Sequence, residues 1–468
     1  MKQAVSLTFT ESAYQQVRDH LFPGDGLEAV AFVLCTRHTA PGRIRLLSKS
    51  VFRVPHSACT EREENVVAWP TEAMLSALVE ASDKNYSLVK VHSHPGGGAK
   101  FSKYDDQSDQ ALFPSIHGWV ENPVPHASAI MLPDGSMVGR VVDEGGEFRP
   151  LQHINVAGDD LQFWFAAAEQ LEVPEHGVRV AQAFGKGTFD LFRHLKIGVV
   201  GCSGTGNPTV HQLAQNMIGT IVMIDPESIE HKNLNRLLSA TAEDAQNGVL
   251  KVDQLEKTIS SLGFGTTVET YPINLLSSEA VHAIADCDIV IGGVDSVMGR
   301  HLLNRISSYY LIPLFDIGVK LVADGEGGVT HICGTSNFIK PGGSSLLSRH
   351  VYTMDDYHAE ELKRVDPDAY DDELDRGYLK GVKDDQPAVG AINIRASSMA
   401  VCDLLARLHG YRNDPNEEYA IQHFELVNGI DDREGHGELC PLFAKVVAWG
   451  DTTLLLNMPA LSDLEDAA

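Results

Sequence analysis

The stretch LKIGVVGCSGTGNP, residues 195–208, decides the fold of the second half of the chain. Its apolar run IGVV predicts a buried strand, and Gly201, Gly204 and Gly206 then allow a tight turn into a helix. Such a loop brings backbone N–H groups and a helix N-terminus against a phosphate. The next apolar run, TIVMID, ends at Asp225, where a carboxylate can hold ribose hydroxyls. The stretch predicts a nucleotide site in an α/β domain, with a plain tight turn as the alternative.

The patterns on either side of this stretch divide the chain into two domains. Runs such as TVETYPI and DIVIGGVD alternate with helical segments, as in a doubly wound α/β domain covering residues 191–468. Residues 1–150 show short apolar runs broken by turns, which is an α+β pattern. Residues 151–190 contain LQFWFAAAEQL, whose apolar spacing predicts a helical linker. The acidic stretch from about 354 to 386 is predicted to form a solvated insertion.

Composition limits the possible partners. The chain has 64 acidic and 37 basic residues and a formal charge of -27, which argues against nucleic acid as a partner. We find no apolar stretch of about 18 residues, so we expect no membrane partner. Seven cysteines without a C-x-x-C pair indicate neither a disulfide framework nor a thiolate zinc cage, and a cytoplasmic location is expected.

A second informative stretch is VHSHPGGGAKFSKYDDQSD, residues 91–109. His92 and His94 are two apart on a predicted strand, so they face the same side and can reach one metal ion. Ser102 and Asp105 are three apart, as on one face of a helical turn. Two imidazoles and one carboxylate leave a fourth tetrahedral position open, which is typical of a catalytic zinc site. The alternative for a bare H-x-H pair is a solvated polar loop.

The whole pattern, H-S-H-P and then S-x-x-D with seven residues between the second histidine and the serine, closely resembles the signature of the JAMM (MPN+) zinc metalloproteases. The resemblance covers about the first 150 residues and implies an α+β domain of the MPN/JAB type. It implies that His92, His94 and Asp105 bind one zinc ion. An upstream glutamate, matched by Glu28 in GLEAVAFVLC, would move a proton from water to the leaving amine, and Ser102 would help to hold the oxyanion.

The segments after Asp225, PESIEHKNLNRLL, GVLK and DIVIGGVDSVMGRHLLNR, resemble in their order the ubiquitin-activating and ThiF/MoeB adenylyltransferase family. The resemblance implies a Rossmann-like domain with a mixed sheet that uses ATP, not NAD, to adenylate a carboxylate. Asn233 and Arg236 would contact the phosphates, and Lys251 would face the α-phosphate. Asp295 would hold Mg²⁺. Arg236 and Lys251 are then also catalytic, because neutralising charge is most of this chemistry.

Three departures from the family pattern matter. Ser203 replaces the second glycine of the usual G-x-G-G-x-G loop. Where relatives carry paired zinc-binding cysteines, the chain reads SLLS at 345–348 and CPLF at 440–443, so we expect no metal in the second domain. A thioester needs a cysteine near the adenylate; Cys333 and Cys440 are weak candidates, and a buried structural role is the favoured alternative.

Together the resemblances imply a bifunctional enzyme that cleaves after the tail of a ubiquitin-like protein and activates the exposed carboxylate. The fusion is similar to those of bacterial ubiquitin-like operons. The expected partners are a ubiquitin-like protein, a conjugating enzyme and a second copy of the chain bound through the adenylating domain. The alternatives are activation of a sulfur carrier by thiocarboxylate formation, and a scaffold that has lost one or both chemistries.

Overall fold

The computed structural model describes residues 3–166, 172–376 and 387–461. Its contacts divide the chain into two compact units. The first unit consists of Met1–Glu169, Tyr309–Leu311 and Val447–Thr453. The second unit consists of Gln170–Ser308, Ile312–Val446 and Leu454–Ala468.

Among its described residues, the first unit combines one large sheet, one two-stranded sheet and three α-helices. Its strands are β1 (Ala4–Thr10), β2 (Val30–Thr39), β3 (Arg43–Arg53), β4 (Glu61–Arg62), β5 (Val67–Ala68), β6 (Ser87–Ser93), β7 (His126–Met131), β8 (Met137–Val142), β9 (Phe148–Pro150), β10 (His153–Ala157) and β11 (Leu161–Phe165). Its helices are α1 (Glu11–Leu21), α2 (Leu75–Lys84) and α3 (Lys103–Trp119).

The large sheet of the first unit has the order β11-β10-β1-β3-β2-β6-β7-β8-β9. One apolar cluster covers the face that packs on α1, and a second covers the face that packs on α2 and α3. Strand β6 lies between β2, which is antiparallel to it, and β7, which is parallel. Because all seven residues of β6 are buried, its end is a fixed point of the unit.

The second unit alternates strands and helices. Its strands are β12 (Lys196–Val200), β13 (Thr220–Ile224), β14 (Thr267–Tyr271), β15 (Ile289–Gly292), β16 (Leu314–Ala323), β17 (Val329–Ile339), β18 (Ile421–Glu425) and β19 (Ile430–Glu434). The remaining helices are α4 (Val178–His194), α5 (Gly206–Gln215), α6 (Ala242–Asn247), α7 (Lys251–Ser261), α8 (Ser278–Ala285), α9 (Val297–Tyr310), α10 (Met354–Val365), α11 (Pro367–Asp375) and α12 (Gly390–His409). Within the described ranges, no helix of the chain combines the length and apolar character needed to cross a membrane.

The sheet of the second unit is mixed, in the order β14-β13-β12-β15-β16-β17-β18-β19. The strands from β14 to β16 are parallel, and those from β16 to β19 pair antiparallel. Since β13 and β15 flank β12 on opposite sides, the loop after β12 lies at the topological switch point, where α/β sheets bind ligands. The predicted fold class, an α+β domain followed by a Rossmann-like α/β domain with a mixed sheet, is confirmed.

The predicted helical linker at 151–190 is wrong in its first part. His153–Ala157 and Leu161–Phe165 are strands that pair antiparallel with each other, and the first also pairs with β1. Aromatic side chains in LQFWF favour a strand once a partner strand is available, and spacing within eleven residues cannot reveal that partner. The following AAEQL, at 167–171, lies outside the described residues, and the next described α-helix begins at Val178.

The predicted solvated insertion at about 354 to 386 is also wrong over its described part. Residues Met354–Val365 and Pro367–Asp375 form helices, and Ala359 and Tyr370 are buried. A capping box begins the first helix, and Asp366 with Pro367 begins the second. The acidic residues therefore serve partly as helix caps. Residues 377–386 lie outside the described part.

Candidate active sites

The first candidate site lies where β6 ends and α3 begins. His92 lies in β6 and His94 just beyond it, so the strand directs both imidazoles to one side. Asp105 lies in the first turn of α3, whose N-cap is Ser102. The Asp105 N–H donates to Ser102 Oγ at 3.1 Å, and the Ser102 N–H donates to Asp105 Oδ2 at 2.7 Å. This capping box fixes the Asp105 carboxylate at the start of the helix.

The predicted zinc ligands converge on one point. The Nε2 atoms of His92 and His94 lie 3.1 Å apart. The carboxylate oxygens of Asp105 lie 3.0 Å from His92 Nε2 and 3.4 Å from His94 Nε2. A tetrahedral zinc ion with bonds of about 2.0–2.1 Å has neighbouring ligand atoms about 3.3 Å apart. The donor set and its spacing therefore fit one zinc ion with a fourth position open.

Outer contacts orient these ligands. His94 Nδ1 lies 2.7 Å from the Gly98 carbonyl, to which it can donate, and this directs the Nε2 lone pair to the metal position. Asp109, one turn after Asp105 on α3, forms buried ion pairs with Lys90 of β6 and, at 2.7 Å, with Arg140 of β8. The Lys90 pair connects the helix that carries Asp105 to the strand that contains His92 and ends just before His94.

Glu28 lies beside the ligands, just before β2. It is 5% exposed, its Oε1 lies 3.9 Å from His94 Nε2, and it is not among the three residues whose ligand atoms cluster at the metal position. Burial raises the pKa of Glu28 to about 7. Its N–H donates to the Glu63 carbonyl at 2.8 Å, and the adjacent Ala29 N–H donates to Ser93 Oγ at 2.9 Å. Glu28 is thus fixed to β6 next to the metal position, where a proton acceptor for attacking water would be needed.

The second candidate site is the glycine loop after β12. Gly201 has φ +83°, and a Cβ there would lie 2.8 Å from the carbonyl oxygen of Gly293. A Cβ on Gly206 would overlap the Gly201 carbonyl oxygen. Only glycine therefore allows the loop to close on itself at these two positions. Its backbone can approach a phosphate at the N-terminus of α5, which fits the predicted nucleotide.

Helix α12 lies against this loop and supplies polar groups that the sequence analysis missed. A Cβ on Gly204 would overlap the side-chain amide of Asn393 and lie 3.2 Å from Arg236 Cδ. Ser397 Oγ donates to the Thr205 carbonyl at 2.5 Å. Asn393 is far along the chain from the loop, and GAINIRASS holds no local signal that separates it from a packing residue.

Asp225 follows β13 as predicted and anchors the loop. Its Oδ2 accepts the Cys202 N–H at 2.7 Å and its Oδ1 accepts the Glu227 N–H at 2.9 Å. Burial raises the pKa of Asp225. Lys251, the first residue of α7, forms an ion pair with Glu227, an exposed carboxylate that we did not predict. Glu227 could have been found from the sequence, because it lies two residues after Asp225, at the end of a predicted strand.

The predicted phosphate contacts lie on the turn after Asp225. Asn233 is buried, and its Oδ1 accepts the Glu230 N–H at 3.0 Å. Arg236 Nη1 donates to the Lys232 carbonyl at 2.9 Å, while its stem lies beside Gly204. The stem of Arg236 therefore lies at the loop, whereas its guanidinium and the Asn233 amide both make hydrogen bonds within their own turn.

Asp295 lies on the segment that joins β15 to α9, next to the glycine loop. The Gly293 N–H donates to the Val200 carbonyl at 2.8 Å, and a Cβ on Gly293 would lie 2.8 Å from Thr205 Oγ1. The Asp295 carboxylate is exposed at this edge. The structure thus brings Gly201, Gly204, Gly206, Asp225, Arg236, Lys251 and Asp295 to one end of the sheet.

Hydrogen bonds close the segment 345–348 on itself and join it to the chain just before 440–443, the two places where the family resemblance implied paired cysteines. The Ser345 N–H donates to Ser348 Oγ at 2.9 Å and the Ser348 N–H donates to Ser345 Oγ at 3.1 Å. Ser348 Oγ also lies 3.3 Å from the Glu438 carbonyl. Cys440 is buried, and burial raises the pKa of Cys333, which is the opposite of the lowered pKa of a reactive thiol.

Replacing Gly206 with alanine should damage the loop, although alanine ordinarily favours a helix. Overlap with the Gly201 carbonyl should lower the stability of this unit by about 1–3 kcal/mol and weaken ATP binding. The control is Gly187→Ala in α4, where a Cβ meets open space and alanine should stabilise by about 0.5–1 kcal/mol. Denaturant unfolding with and without ATP measures both effects. Equal behaviour of the two variants would contradict the loop geometry.

Two family models match the chain. A model for the ThiF family matches residues 178–432, and a model for prokaryotic homologs of the JAB domain matches residues 10–173. Each match falls on one of the candidate sites, since the first range contains the glycine loop and the second contains the histidine pair.

Curated relatives match part of the ThiF region. The adenylyltransferase and sulfurtransferase UBA4 of Scheffersomyces stipitis is 32% identical over 138 residues, 30% of this chain and 29% of that protein. The adenylyltransferase and sulfurtransferase MOCS3 of Dictyostelium discoideum is 33% identical over 106 residues, 23% of this chain and 24% of that protein. The chain therefore spans less than a third of the length of either relative. The crystal structure of E. coli MccB with ATP is 17% identical with a TM-score of 0.43, covering 57% of this chain and 73% of that one.

Proposed function

The chain belongs to the ThiF family, with a JAB-type domain before the ThiF region, and from this we propose that it is a bifunctional enzyme of a ubiquitin-like pathway. The first domain is proposed to cleave the amide bond after the C-terminal tail of a ubiquitin-like protein, with one Zn²⁺. The second is proposed to adenylate that carboxylate with ATP and Mg²⁺ for conjugation. The observation that carries the proposal is the convergence of His92, His94 and Asp105 beside Glu28, in a chain that also holds a glycine loop.

The peptidase step uses two side chains beside the metal ligands. Zinc, when bound, supplies a Lewis acid that polarises the scissile carbonyl and makes water more acidic. Glu28 accepts a proton from the attacking water and gives it to the leaving amine. Because Ser102 Oγ already accepts the Asp105 N–H, its own proton is left to donate to the carbonyl oxygen as charge develops there.

The adenylation step places negative groups together. A substrate carboxylate oxygen attacks the α-phosphorus, the bond to the bridging oxygen breaks, and pyrophosphate leaves. Arg236 beside Gly204 and Lys251 beside Glu227 are proposed to offset this charge, with Asn233 near the phosphates. Asp295 is proposed to hold Mg²⁺, whose charge adds to theirs.

The first partner is the ubiquitin-like protein, because the carboxylate released by one domain is the substrate of the other. A conjugating enzyme that receives the activated tail, and a homodimer formed through the adenylating domain, are further proposals. Neither the proposed peptidase step nor the proposed adenylation step requires nucleic acid or a membrane.

Sulfur-carrier activation is a second candidate, and the cysteines favour it. Burial raises the pKa of six described cysteines, which are Cys35, Cys59, Cys202, Cys287, Cys333 and Cys402. A thioester needs a reactive thiolate, whereas an external sulfur donor can attack the adenylate without one. The relatives UBA4 and MOCS3 are named as sulfurtransferases.

The test uses candidate ubiquitin-like proteins with and without a C-terminal extension. We expect zinc-dependent removal of the extension, and ATP–pyrophosphate exchange only with the mature tail. A non-reducing gel then separates the two outcomes, because a thiol-labile adduct on this chain would contradict the sulfur-carrier version. Absence of both cleavage and exchange with every candidate would contradict the proposed function.

A further inference from the structure

Helix α10 of the acidic segment contacts the N-terminus of α9. The Met298 N–H donates to Glu360 Oε2 at 2.6 Å, and the Val297 N–H also donates to this carboxylate. Ser296 Oγ accepts the Gly299 N–H at 3.1 Å. The first turn of α9 is therefore capped both by a local serine and by a glutamate more than sixty residues away.

This capped turn directly follows Asp295, the residue proposed to hold Mg²⁺. Asp295 is two residues before Val297, whose N–H donates to the Glu360 carboxylate, and burial together with the negative charge of Asp295 raises the pKa of Glu360. The positive charge of Arg300, on the next turn of α9, lowers the pKa of Glu360. Through Gly293, the same segment contacts the glycine loop. Glu360 thus reaches the edge of the proposed nucleotide site.

Aromatic contacts hold α10 in this position. The ring of Tyr357, one turn before Glu360, lies 4.6 Å from the ring of His301 on α9. Tyr352, just before the helix, is buried, and its hydroxyl lies 3.1 Å from His301 Nδ1. A helix that was only solvated surface would not need these contacts. Glu360 is therefore held against α9 by the contacts of Tyr357 and Tyr352 with His301.

We propose that Glu360 is a positioning residue of the adenylation site, which fixes the first turn of α9 and places a second carboxylate beside Asp295. The inference rests on the proposed function, because it gives Asp295 the role of binding Mg²⁺. A second negative charge favours a divalent cation there, and a fixed helix start orients the first carboxylate. The acidic segment then strengthens the binding of Mg²⁺ with ATP.

The test separates charge from capping. Glu360→Gln keeps an oxygen for the Met298 N–H and removes the charge, whereas Glu360→Ala removes both. Glu361→Gln, on the same helix, is the matched control for loss of charge. We expect Glu360→Gln to raise the Mg²⁺ concentration for half-maximal exchange about tenfold, Glu360→Ala to raise it further, and the control to match wild type.

A second measurement does not depend on activity. Binding of Mn²⁺ with α,β-methylene ATP, followed by electron paramagnetic resonance, should weaken about tenfold in Glu360→Gln and not in Glu361→Gln. Unchanged Mn²⁺ affinity in both Glu360 variants, with normal wild-type binding, would overturn the inference and leave the proposed function standing. Wild-type protein that binds no Mn²⁺ with the nucleotide would overturn both. Wild-type binding without exchange on any ubiquitin-like protein would count against the proposed substrate alone.

Discussion

Replacing Glu28 with glutamine should slow removal of a C-terminal extension by about 10²–10⁴-fold, the contribution of a well-placed general acid–base group. Glutamine keeps the size of the side chain but cannot accept a proton from water. Zinc should stay bound, because Glu28 is not among the three residues whose ligand atoms cluster at the metal position. Initial rates of cleavage, measured beside the zinc content of the same sample, check both parts.

Two further variants serve as controls for the loss of charge and for the loss of zinc. Glu63→Gln removes a nearby charge without touching the site, since only the Glu63 backbone contacts Glu28 and its side chain is exposed, so its rate should match wild type. The His92→Ala, His94→Ala double variant should lose zinc, from about one ion per chain to none by elemental mass spectrometry. Full activity in Glu28→Gln would mean that another group is the base. Two zinc ions per wild-type chain would contradict the expectation of a metal-free second domain.

The sequence was sufficient where a site depends on residues close together in the chain. His92 and His94 share a face because strand side chains alternate, and Ser102 and Asp105 meet because a helix cap joins residues three apart. The glycine loop could be predicted partly for the same reason, since Gly206 packs on the nearby Gly201 carbonyl, whereas the contact of Gly201 with Gly293 is distant in sequence.

It was not sufficient where a partner lies far along the chain. LQFWF becomes a strand because β10 offers it an edge, and nothing inside the five residues identifies that edge. Asn393 reaches Gly204, and Glu360 reaches Met298, only after the sheet has brought separate helices together. The roles of such residues depend on contacts between distant segments, and local composition and spacing do not reveal those contacts.

Replacing Asp295 with alanine should reduce ATP–pyrophosphate exchange by about 10²–10³-fold, because the reaction would lose the proposed holder of the Mg²⁺ charge. The carboxylate is exposed and lies between β15 and α9, so the fold should survive its removal. Asp253→Ala on α7 removes an equally exposed carboxylate from the same unit and should leave exchange unchanged. Both variants are assayed for exchange and for thermal unfolding.

The Mg²⁺ dependence of ATP–pyrophosphate exchange shows why the Asp295→Ala variant loses activity. If the Asp295 carboxylate binds the ion, a higher Mg²⁺ concentration should recover part of the exchange. The ATP phosphates would still bind Mg²⁺ in the variant, although more weakly. If Asp295 serves only to shape the loop beside Gly293, added Mg²⁺ should recover nothing and the unfolding temperature should fall. Unchanged exchange at every Mg²⁺ concentration would mean that the ion is held elsewhere, and Glu360, the other carboxylate at the start of α9, would then be the first residue to test as its holder.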